Sequence, residues 1–328
     1  MKKYPKKPRI SKNCEVCSRE FFVYPYRKDI AKYCSHSCYT TTVHLQDMKN
    51  RDYIRFPKFF KKTSLVLLTM FLVCSTFYTS VLATGNTHST DLEKGSNQFW
   101  SITDAAQTGL DITGNMTLMT YLKPEAQPAN EQPFSIYSKY LGTGNQRALW
   151  VYWRISGGVT NFSWNQSSDG SAVTTKNLDQ AFTNGTWYHV AFVYTAATGV
   201  VEVFVDGTSV GTMTALPTSI FNSSAAARIG GEPDADGFKW DGLLDDYMIF
   251  NAVLTEAQID TYISDECDWT PLASLQARWL FDNDGLDDTA NNNDLTNNNS
   301  ATFSTDKAYT CAVASADASP EQDIIYFE

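Results

Sequence analysis

Four cysteines near the N-terminus have the type and spacing of a metal site. Cys14 and Cys17 are separated by two residues, Cys34 and Cys38 by three, and sixteen residues lie between the two pairs. Two close pairs of thiolates joined by a short loop can supply the four ligands of a tetrahedral Zn²⁺ ion. A histidine could replace one of these cysteines, although a solvated side chain is the simpler interpretation for both candidates, His36 and His44.

Residues 1–62 form a basic head around these cysteines. They contain 16 Lys and Arg against 5 Asp and Glu. The head has few aliphatic side chains, so we expect it to need a bound metal in order to fold. Its charge favours nucleic acid or anionic lipid as a partner. The alternative is that the lysines only fix the orientation of a membrane segment that follows them.

The cysteine-containing part of the head resembles the small zinc ribbons that accompany HNH-type and phage-associated nucleic-acid proteins. The resemblance covers about 30 residues, and the residues that carry it are Cys14, Cys17, Phe21, Tyr33, Cys34, Ser35 and Cys38. It implies a Zn²⁺ cofactor and contact with nucleic acid. The head has no HNH run and no catalytic neighbourhood around its histidines, so no nuclease activity is expected.

The segment 64–83 is long and apolar enough to cross a membrane. It has 20 residues, of which 14 are apolar and none is charged, and a helix of this length reaches about 30 Å. Lysines precede it directly, whereas no Lys or Arg follows before Lys94, which predicts a cytoplasmic N-terminus and an extracellular C-terminal region. The segment is either a retained transmembrane helix or the apolar part of a signal peptide cleaved after Ala83. The protein is therefore predicted to be membrane-anchored or secreted.

The region after this segment has the opposite charge. Residues 63–328 contain 10 Lys and Arg against 31 Asp and Glu. Such an excess is typical of an exported soluble domain, and it also suits Ca²⁺ binding. Two cysteines follow the apolar segment, Cys267 and Cys311. On the oxidising side of a membrane they favour one disulfide.

An Asp/Asn-rich stretch near the C-terminus offers oxygen ligands. Asp282, Asp284, Asp287 and Asp288 lie within seven residues of sequence, and carboxylate oxygens suit Ca²⁺. The stretch lacks the closing bidentate glutamate of an EF-hand loop. A solvated acidic loop is the alternative interpretation.

Three aromatic residues on one predicted strand, Trp150, Tyr152 and Trp153, are candidates for stacking against a sugar ring. Trp150 and Tyr152 share a face of the strand, whereas Trp153 lies on the other face. One of these two sets is therefore a candidate ligand-binding platform. Core positions are the simpler interpretation for two further aromatic residues, Trp187 and Tyr194.

The sequence lacks the residues of a glycoside hydrolase. Such enzymes need two carboxylates about 5–10 Å apart. Glu202 and Asp206 are four residues apart on one predicted strand, but Asp206-Gly207 is first a turn signal. There is no Glu-x-Asp-x-x-Glu motif and no Ser/His/Asp set, and His189 lies among apolar neighbours and is expected to be structural. The region is predicted to be non-catalytic.

Short β patterns must position these residues. Runs such as 148–155, 187–194 and 200–206 are apolar or alternating, and turn signals recur about every 8–12 residues, which favours an all-β antiparallel sandwich. One helix is also indicated, because Thr255 and Gln258 have the spacing of a capping box.

This region resembles the laminin-G-like, concanavalin A-like jelly-roll domains. The resemblance runs over about 170 residues, from near 97 to near 265. The matched positions are Trp187, His189, Val190, Tyr194, Val203, Val205, Asp206, Gly207, Ile229, Gly230, Gly242, Asp245, Asp246, Leu254, Thr255, Glu256 and Ile259. The resemblance implies two antiparallel sheets, a concave face, and Ca²⁺-dependent or Ca²⁺-independent binding of sugars or proteins. Because Asp245 and Asp246 alternate along a strand, at most one of them is expected to face the core or a metal.

The chain is thus predicted to comprise a zinc-ribbon-like head (1–62), a transmembrane or signal helix (63–83), a linker (84–96), a jelly-roll sandwich (97–268) and an Asp/Asn-rich tail (269–328). The tail is too short for a second sandwich. Its predicted strands, 277–281 and 324–327, are expected to pack on the first one, with the disulfide as a tether. The alternative is the truncated start of a repeat.

The favoured function is a non-catalytic binding or adhesion module that recognises carbohydrate or a surface protein. The alternative is a single-span sensor, with the outer domain as receptor and the zinc ribbon as a cytoplasmic effector that contacts nucleic acid. A glycoside hydrolase is least favoured, although the fold alone does not decide between binding and catalysis.

Overall fold

The structure is a computed structural model that describes residues 86–130, 132–232, 238–267 and 269–311, together with the backbone of 10–13 and 20–23. The chain separates into two compact units, Met1–Leu82 and Ala83–Glu328. Within the described part of the chain, no helix combines the length and the apolar character needed to span a bilayer.

The first unit contains an antiparallel hairpin. Its strands are β1 (Ile10–Asn13) and β2 (Glu20–Val23), with Ile10 opposite Val23. The apolar segment 64–83 lies outside the described residues, and so do the four predicted zinc ligands, Cys14, Cys17, Cys34 and Cys38. Zinc binding and the membrane segment therefore stay predictions.

The described residues of the second unit form fifteen further strands. In chain order they are β3 (Ser89–Leu92), β4 (Phe99–Ile102), β5 (Met116–Pro124), β6 (Phe134–Leu141), β7 (Gln146–Ser156), β8 (Val159–Gln166), β9 (Thr174–Asp179), β10 (Tyr188–Thr195), β11 (Val200–Val205), β12 (Thr208–Met213), β13 (Ala227–Ile229), β14 (Gly242–Phe250), β15 (Leu275–Trp279), β16 (Thr296–Asn298) and β17 (Thr302–Ser304). They make two antiparallel sheets. The eight-stranded sheet has the order β12-β11-β10-β5-β14-β3-β17, with β15 also paired to β14, and the seven-stranded sheet has the order β16-β4-β13-β6-β7-β8-β9.

The main hydrophobic core lies between the two sheets. Strand β10 contributes Val190, Phe192 and Tyr194 at every second position, because successive side chains of a strand point to opposite faces. From the opposing sheet, the fully buried Trp153 and Trp164 fill much of the volume between the layers. The all-β antiparallel sandwich predicted from the sequence is confirmed, and it is consistent with a jelly roll.

Besides a 3-10 helix at Lys94–Ser96, the described residues contain one α-helix, α1 (Glu256–Ser264), which packs on the outer face of the eight-stranded sheet. The predicted capping box is present, because Gln258 N donates to Thr255 Oγ1 at 3.3 Å and Thr255 N donates to Gln258 Oε1 at 2.9 Å. Ile259 and Tyr262 of the helix are fully buried. They form a second hydrophobic cluster with residues of the sheet that include Met119, Met248 and Phe250.

The tail extends both sheets of the sandwich. Strand β15 pairs with β14, β17 with β3, and β16 with β4. A disulfide joins Cys267 to Cys311, whose Cα atoms are 5.4 Å apart, so both ends of the described tail are fixed close to helix α1. The predicted strand at 324–327 lies outside the described residues.

Strand β14 contains an irregularity that strict alternation did not predict. Its register against β5 shifts between Asp245 and Met248, and Asp246 has a φ of 42°. Such an extra residue is a β-bulge, which lets neighbouring side chains turn to the same side. Both aspartates are fully buried. The expectation was that at most one of them faces the core or a metal; both are instead buried on the outer side of the sheet, where Asp245 contacts the tail and Asp246 contacts helix α1. The bulge accounts for their shared side.

Candidate functional site

The outer face of the seven-stranded sheet carries polar and aromatic side chains in adjacent rows. Residues directly opposite each other on antiparallel strands share a face. Trp150 lies opposite Asn165, and Tyr152 lies opposite Ser163. We define the polar–aromatic face by these and their neighbours on the same side: Ser135, Ser138, Trp150, Tyr152, Asn161, Ser163, Asn165 and Asn177.

The alternation of β7 decides which of its aromatic side chains reach this face. Trp150 and Tyr152 point outward together, as their spacing predicted. Trp153 points into the core, where it is fully buried and donates its indole N–H to the Gln180 carbonyl at 3.0 Å. Trp153 is therefore a core residue, and its inclusion among the ligand-binding candidates is corrected.

Trp150 is packed rather than open to solvent. Its ring stacks on Phe238, with 5.6 Å between centroids and 24° between planes, and its centroid lies 4.2 Å from that of Tyr152. Its indole N–H donates to Ser135 Oγ at 3.1 Å. The side chain is 8% exposed. Trp150 is therefore a packed part of the face, and the amides and hydroxyls around it are buried to a similar degree or more.

The amides and hydroxyls of the face hold one another in position. The Tyr152 hydroxyl donates to Asn165 Oδ1 at 3.2 Å. Ser163 Oγ lies 2.8 Å from Asn177 Oδ1 and 3.1 Å from Asn161 Oδ1. Because these contacts already fix the side chains, a ligand would not have to order them on binding.

The sequence analysis did not identify these polar residues as part of a site. The signal that could have revealed them is in β8, where Asn161, Ser163 and Asn165 alternate with the core residues Phe162 and Trp164. A strand that places three amide or hydroxyl side chains on the face turned away from the core, beside two aromatic residues of the next strand, is an unusual pattern for an outer sheet face.

Cationic side chains lie over aromatic rings at the border of the face. The Arg154 guanidinium is 5.6 Å from the ring centroid of Tyr152. Arg228 and Lys239 lie 4.7 Å and 5.3 Å from the ring centroid of Phe99. Cation–π contacts of this kind orient both partners. The border of the face is thus locally basic although the domain as a whole is acidic.

Carboxylates are scarce on this sheet. Within the described strands of the seven-stranded sheet, Asp179 on the edge strand β9 is the one acidic residue. The pair considered from the sequence lies on the other sheet and is engaged there. Glu202 Oε1 accepts a hydrogen bond from Ser209 Oγ at 2.7 Å, and Asp206, in a turn with φ of 49°, accepts one from His189 N at 2.9 Å.

The aspartates predicted to bind calcium serve separate roles in the tail: Asp282, Asp284, Asp287 and Asp288. Asp287 closes a loop by accepting hydrogen bonds from Arg278 N at 3.0 Å and Asn293 N at 2.8 Å. Asp284 accepts one from Leu286 N at 3.2 Å, and Asp282 accepts others from Thr87 N and His88 N at 2.7 Å and 2.9 Å. Within the described residues, no three of the four come close enough to share one ion.

Three other described acidic side chains lie close together, beside strands of the eight-stranded sheet. Carboxylate oxygens of Asp91, Glu93 and Glu125 lie within 4.8 Å of one another. Burial raises the pKa of each carboxyl, and repulsion from neighbouring carboxylates such as Asp241 raises it further. Burial and mutual repulsion account for the raised pKa values, and the cluster by itself defines no ligand site.

Asp246 is the centre of a buried ion pair. Its two carboxylate oxygens accept hydrogen bonds from Arg278 Nε at 2.8 Å and from a terminal guanidinium nitrogen at 2.7 Å. The hydroxyls of Tyr262 and Tyr309 donate to the same carboxylate at 2.5 Å each. The group therefore joins β14, β15, helix α1 and the tail, and its role is structural.

His189 is a buried neutral histidine. Its ring lies against Tyr121 and Tyr262, with centroids 4.9 Å and 5.5 Å away. Burial lowers the pKa of His189 to about 3, because the imidazolium would lose its hydration. The histidine is thus uncharged near neutral pH, as expected for a structural residue.

Residues 94–260 match a laminin G family model that is described as the concanavalin A-like lectin/glucanases superfamily. The match covers more than half of the chain, which therefore belongs to this superfamily. The laminin-G-like resemblance seen in the sequence is confirmed. No curated protein sequence matches the chain.

Solved structures share the fold at low sequence identity. A candidate carbohydrate-binding protein from Bacteroides ovatus aligns with a TM-score of 0.52 and 15% identity, covering 69% of this chain and 62% of that one. A heptameric SAP-like pentraxin from Limulus polyphemus aligns with a TM-score of 0.44 and 17% identity over 66% of this chain and 87% of that one. The LG4-5 domains of mouse laminin α1 align with a TM-score of 0.36 and 14% identity, over 52% and 43% of the two chains. At these identities the likeness concerns the fold alone.

Proposed function

We propose that the protein is a carbohydrate-binding module whose ligand binds at the polar–aromatic face. One observation carries the proposal: aromatic rings and mutually fixed amides and hydroxyls lie in adjacent rows on a sheet face that the core does not use. Sugars have hydroxyls that need donors and acceptors, and C–H faces that pack on aromatic rings. Membership of a superfamily that includes lectins supports this assignment.

The proposed module binds without cleaving its ligand. Hydrolysis of a glycosidic bond requires an acid and a second carboxylate at a defined separation. The described strands beneath the polar–aromatic face contain a single acidic residue, Asp179, at the edge. This supports binding over catalysis within a superfamily that contains both lectins and glucanases.

The proposed site of action is the cell surface or the extracellular space. The Cys267–Cys311 disulfide supports this, because disulfides persist in oxidising compartments. N-terminal sequencing of the protein isolated from cells separates the two alternatives. A start near Thr84 indicates secretion, whereas an intact N-terminus favours an anchored protein and the sensor arrangement with a cytoplasmic zinc ribbon.

A glycan array tests the proposed ligand class. The purified full-length chain is expected to bind a subset of immobilised glycans, and Tyr152→Phe, which removes one hydroxyl from the face, is expected to weaken that binding. Ser209→Ala, on the eight-stranded sheet, is the matched control and should bind as the wild type does. Binding to surface proteins with no glycan bound would replace the carbohydrate assignment by a protein-binding one.

A further inference from the structure

Three buried side-chain oxygens at one end of the eight-stranded sheet have no hydrogen-bond partner among the described residues: Asn86 Oδ1, Asp245 Oδ1 and Asp282 Oδ2. Buried polar atoms in native proteins are almost always paired, so each exception needs a physical explanation. Here three exceptions occur on side chains that lie next to one another.

Hydrogen bonds join the Asn86 side chain to Asp245 and the Asp282 side chain to the residues that follow Asn86. Asn86 Nδ2 donates to Asp245 Oδ2 at 2.9 Å. Asp282 Oδ1 accepts hydrogen bonds from Thr87 N at 2.7 Å and His88 N at 2.9 Å, which are the two residues that follow Asn86. Each side chain thus uses one polar atom to hold the arrangement together, and its other polar atom is the unpartnered oxygen.

Burial makes the unpartnered oxygens costly. Asp245 is 0% exposed and Asn86 is 3% exposed. Asp245 Oδ2 accepts a second hydrogen bond, from Ala308 N at 2.9 Å, while Oδ1 accepts none in the described structure. A carboxylate that is fully enclosed and half satisfied lacks a positive partner.

Protein cations do not supply that partner. Among the ion pairs of the described residues, neither Asp245 nor Asp282 takes part. The contrast with the adjacent Asp246 is direct, because that carboxylate is paired bidentately with Arg278. Two carboxylates and an amide carbonyl, each with an oxygen that has no partner among the described residues and linked through the segment that starts at Asn86, are therefore available to an external cation.

We propose that Asn86, Asp245 and Asp282 bind a divalent cation, Ca²⁺. Carboxylate and amide oxygens are the ligands of this hard ion, and its flexible coordination tolerates water in the remaining positions. Zn²⁺ prefers nitrogen and sulfur ligands, and Mg²⁺ demands a nearly ideal octahedron. The ion would join the start of the sandwich to β14 and to the tail.

The proposed cation has a structural role that is separate from carbohydrate binding. Asp245 lies on β14 in the eight-stranded sheet, whereas the polar–aromatic face belongs to the other sheet. The inference therefore does not rest on the proposed function. It also restricts the calcium prediction made for the tail, because Asp282 is the one of those four aspartates with an unpartnered buried oxygen among the described residues.

Calcium titration of the full-length chain, first depleted of metal, tests the site. Equilibrium dialysis is expected to find a saturable Ca²⁺ site. The temperature of thermal unfolding should rise by several degrees when Ca²⁺ is added. Asp282→Asn should weaken Ca²⁺ binding at least tenfold. Asp284→Asn, two residues away and bonded only to the loop at Leu286, is the matched control and should bind as the wild type does.

A second variant tests the site even if Asp282→Asn does not fold. Asn86→Asp places a third carboxylate in the site, so without Ca²⁺ this variant should unfold at a lower temperature than the wild type. When Ca²⁺ is added, its unfolding temperature should rise by more than that of the wild type. Absence of Ca²⁺ binding by the wild type at millimolar concentration would overturn the proposal. If Glu93→Gln loses Ca²⁺ binding while Asp282→Asn keeps it, the ion binds at the acidic cluster of Asp91, Glu93 and Glu125. That result would also overturn the proposal.

Discussion

Asp245 and Asp246 are adjacent in sequence and fully buried, yet their environments differ in charge. Asp246 has a guanidinium partner and two tyrosine hydroxyls. Asp245 has an amide and a backbone N–H, and burial raises its pKa to about 8 when no cation is present. The bulge that turns both side chains to one side thus creates a satisfied ion pair next to an unsatisfied carboxyl.

Replacing Asp246 should destabilise the fold strongly. In Asp246→Ala, the Arg278 guanidinium would stay buried without a counter-charge, which typically costs about 3–5 kcal/mol. Urea unfolding monitored by circular dichroism measures the change. Asp284→Ala, at an exposed loop position, should change stability by less than about 0.5 kcal/mol. Equal stability of the two variants would contradict the structural role of Asp246.

His189 should make stability depend on pH. In the unfolded chain it binds a proton below a pKa of about 6.5, whereas in the folded chain it resists protonation until about pH 3. The unfolded state then binds more protons, so the free energy of unfolding falls as the pH drops through this window, by at most about 1.4 kcal/mol per pH unit.

The variant His189→Leu isolates this contribution, because both ring nitrogens lack partners in the described structure and no hydrogen bond is lost. Between pH 7 and pH 5, the wild type should lose about 2 kcal/mol more stability than the variant in urea unfolding. The same pH dependence for both proteins would show that His189 is protonated normally in the folded state.

At the scale of elements, the tail belongs to the sandwich. Strands β15, β16 and β17 pair with strands of both sheets, and Tyr309 and Ala308 contact the buried aspartates. The disulfide fixes the end of this region next to helix α1. The tail therefore covers the part of the outer face of the eight-stranded sheet that lies beside Asp245 and Asp246.

Removing the disulfide should destabilise the sandwich. Cys267 and Cys311 are 44 residues apart, and closing a loop of that size stabilises a fold by about 4 kcal/mol in the chain-entropy model. The double variant Cys267→Ala/Cys311→Ala should therefore unfold at lower urea concentration than the wild type under oxidising conditions. In reducing buffer, the wild type and the double variant should unfold at similar urea concentrations. A variant as stable as the oxidised wild type would contradict the tethering role.

At the scale of the whole molecule, local patterns predicted the sandwich. Alternation separated Trp150 and Tyr152 from Trp153, and Thr255 with Gln258 marked the start of helix α1. These features depend on residues close in sequence. Features that join distant residues could not be predicted, such as the stacking of Phe238 on Trp150 and the hydrogen bond between Asn86 and Asp245.

The bulge in β14 shows why the buried polar groups escaped prediction. One extra residue changed the facing of Asp245 and Asp246, and the partners that Asp246 then meets, Arg278 and Tyr262, lie far from it in the sequence. The hydrogen-bonded amides of the polar–aromatic face likewise become visible only when β7, β8 and β9 are placed side by side.

The central claim is that carbohydrate binds at the polar–aromatic face, and calorimetric titration with the glycan that gives the strongest array signal tests it most directly. Asn165→Ala removes an amide that the Tyr152 hydroxyl fixes in place, so its dissociation constant should rise at least tenfold, which corresponds to about 1.4 kcal/mol. Ser209→Ala should bind as the wild type does, and thermal unfolding should show both variants folded. A folded Asn165→Ala variant with the wild-type dissociation constant would contradict the claim.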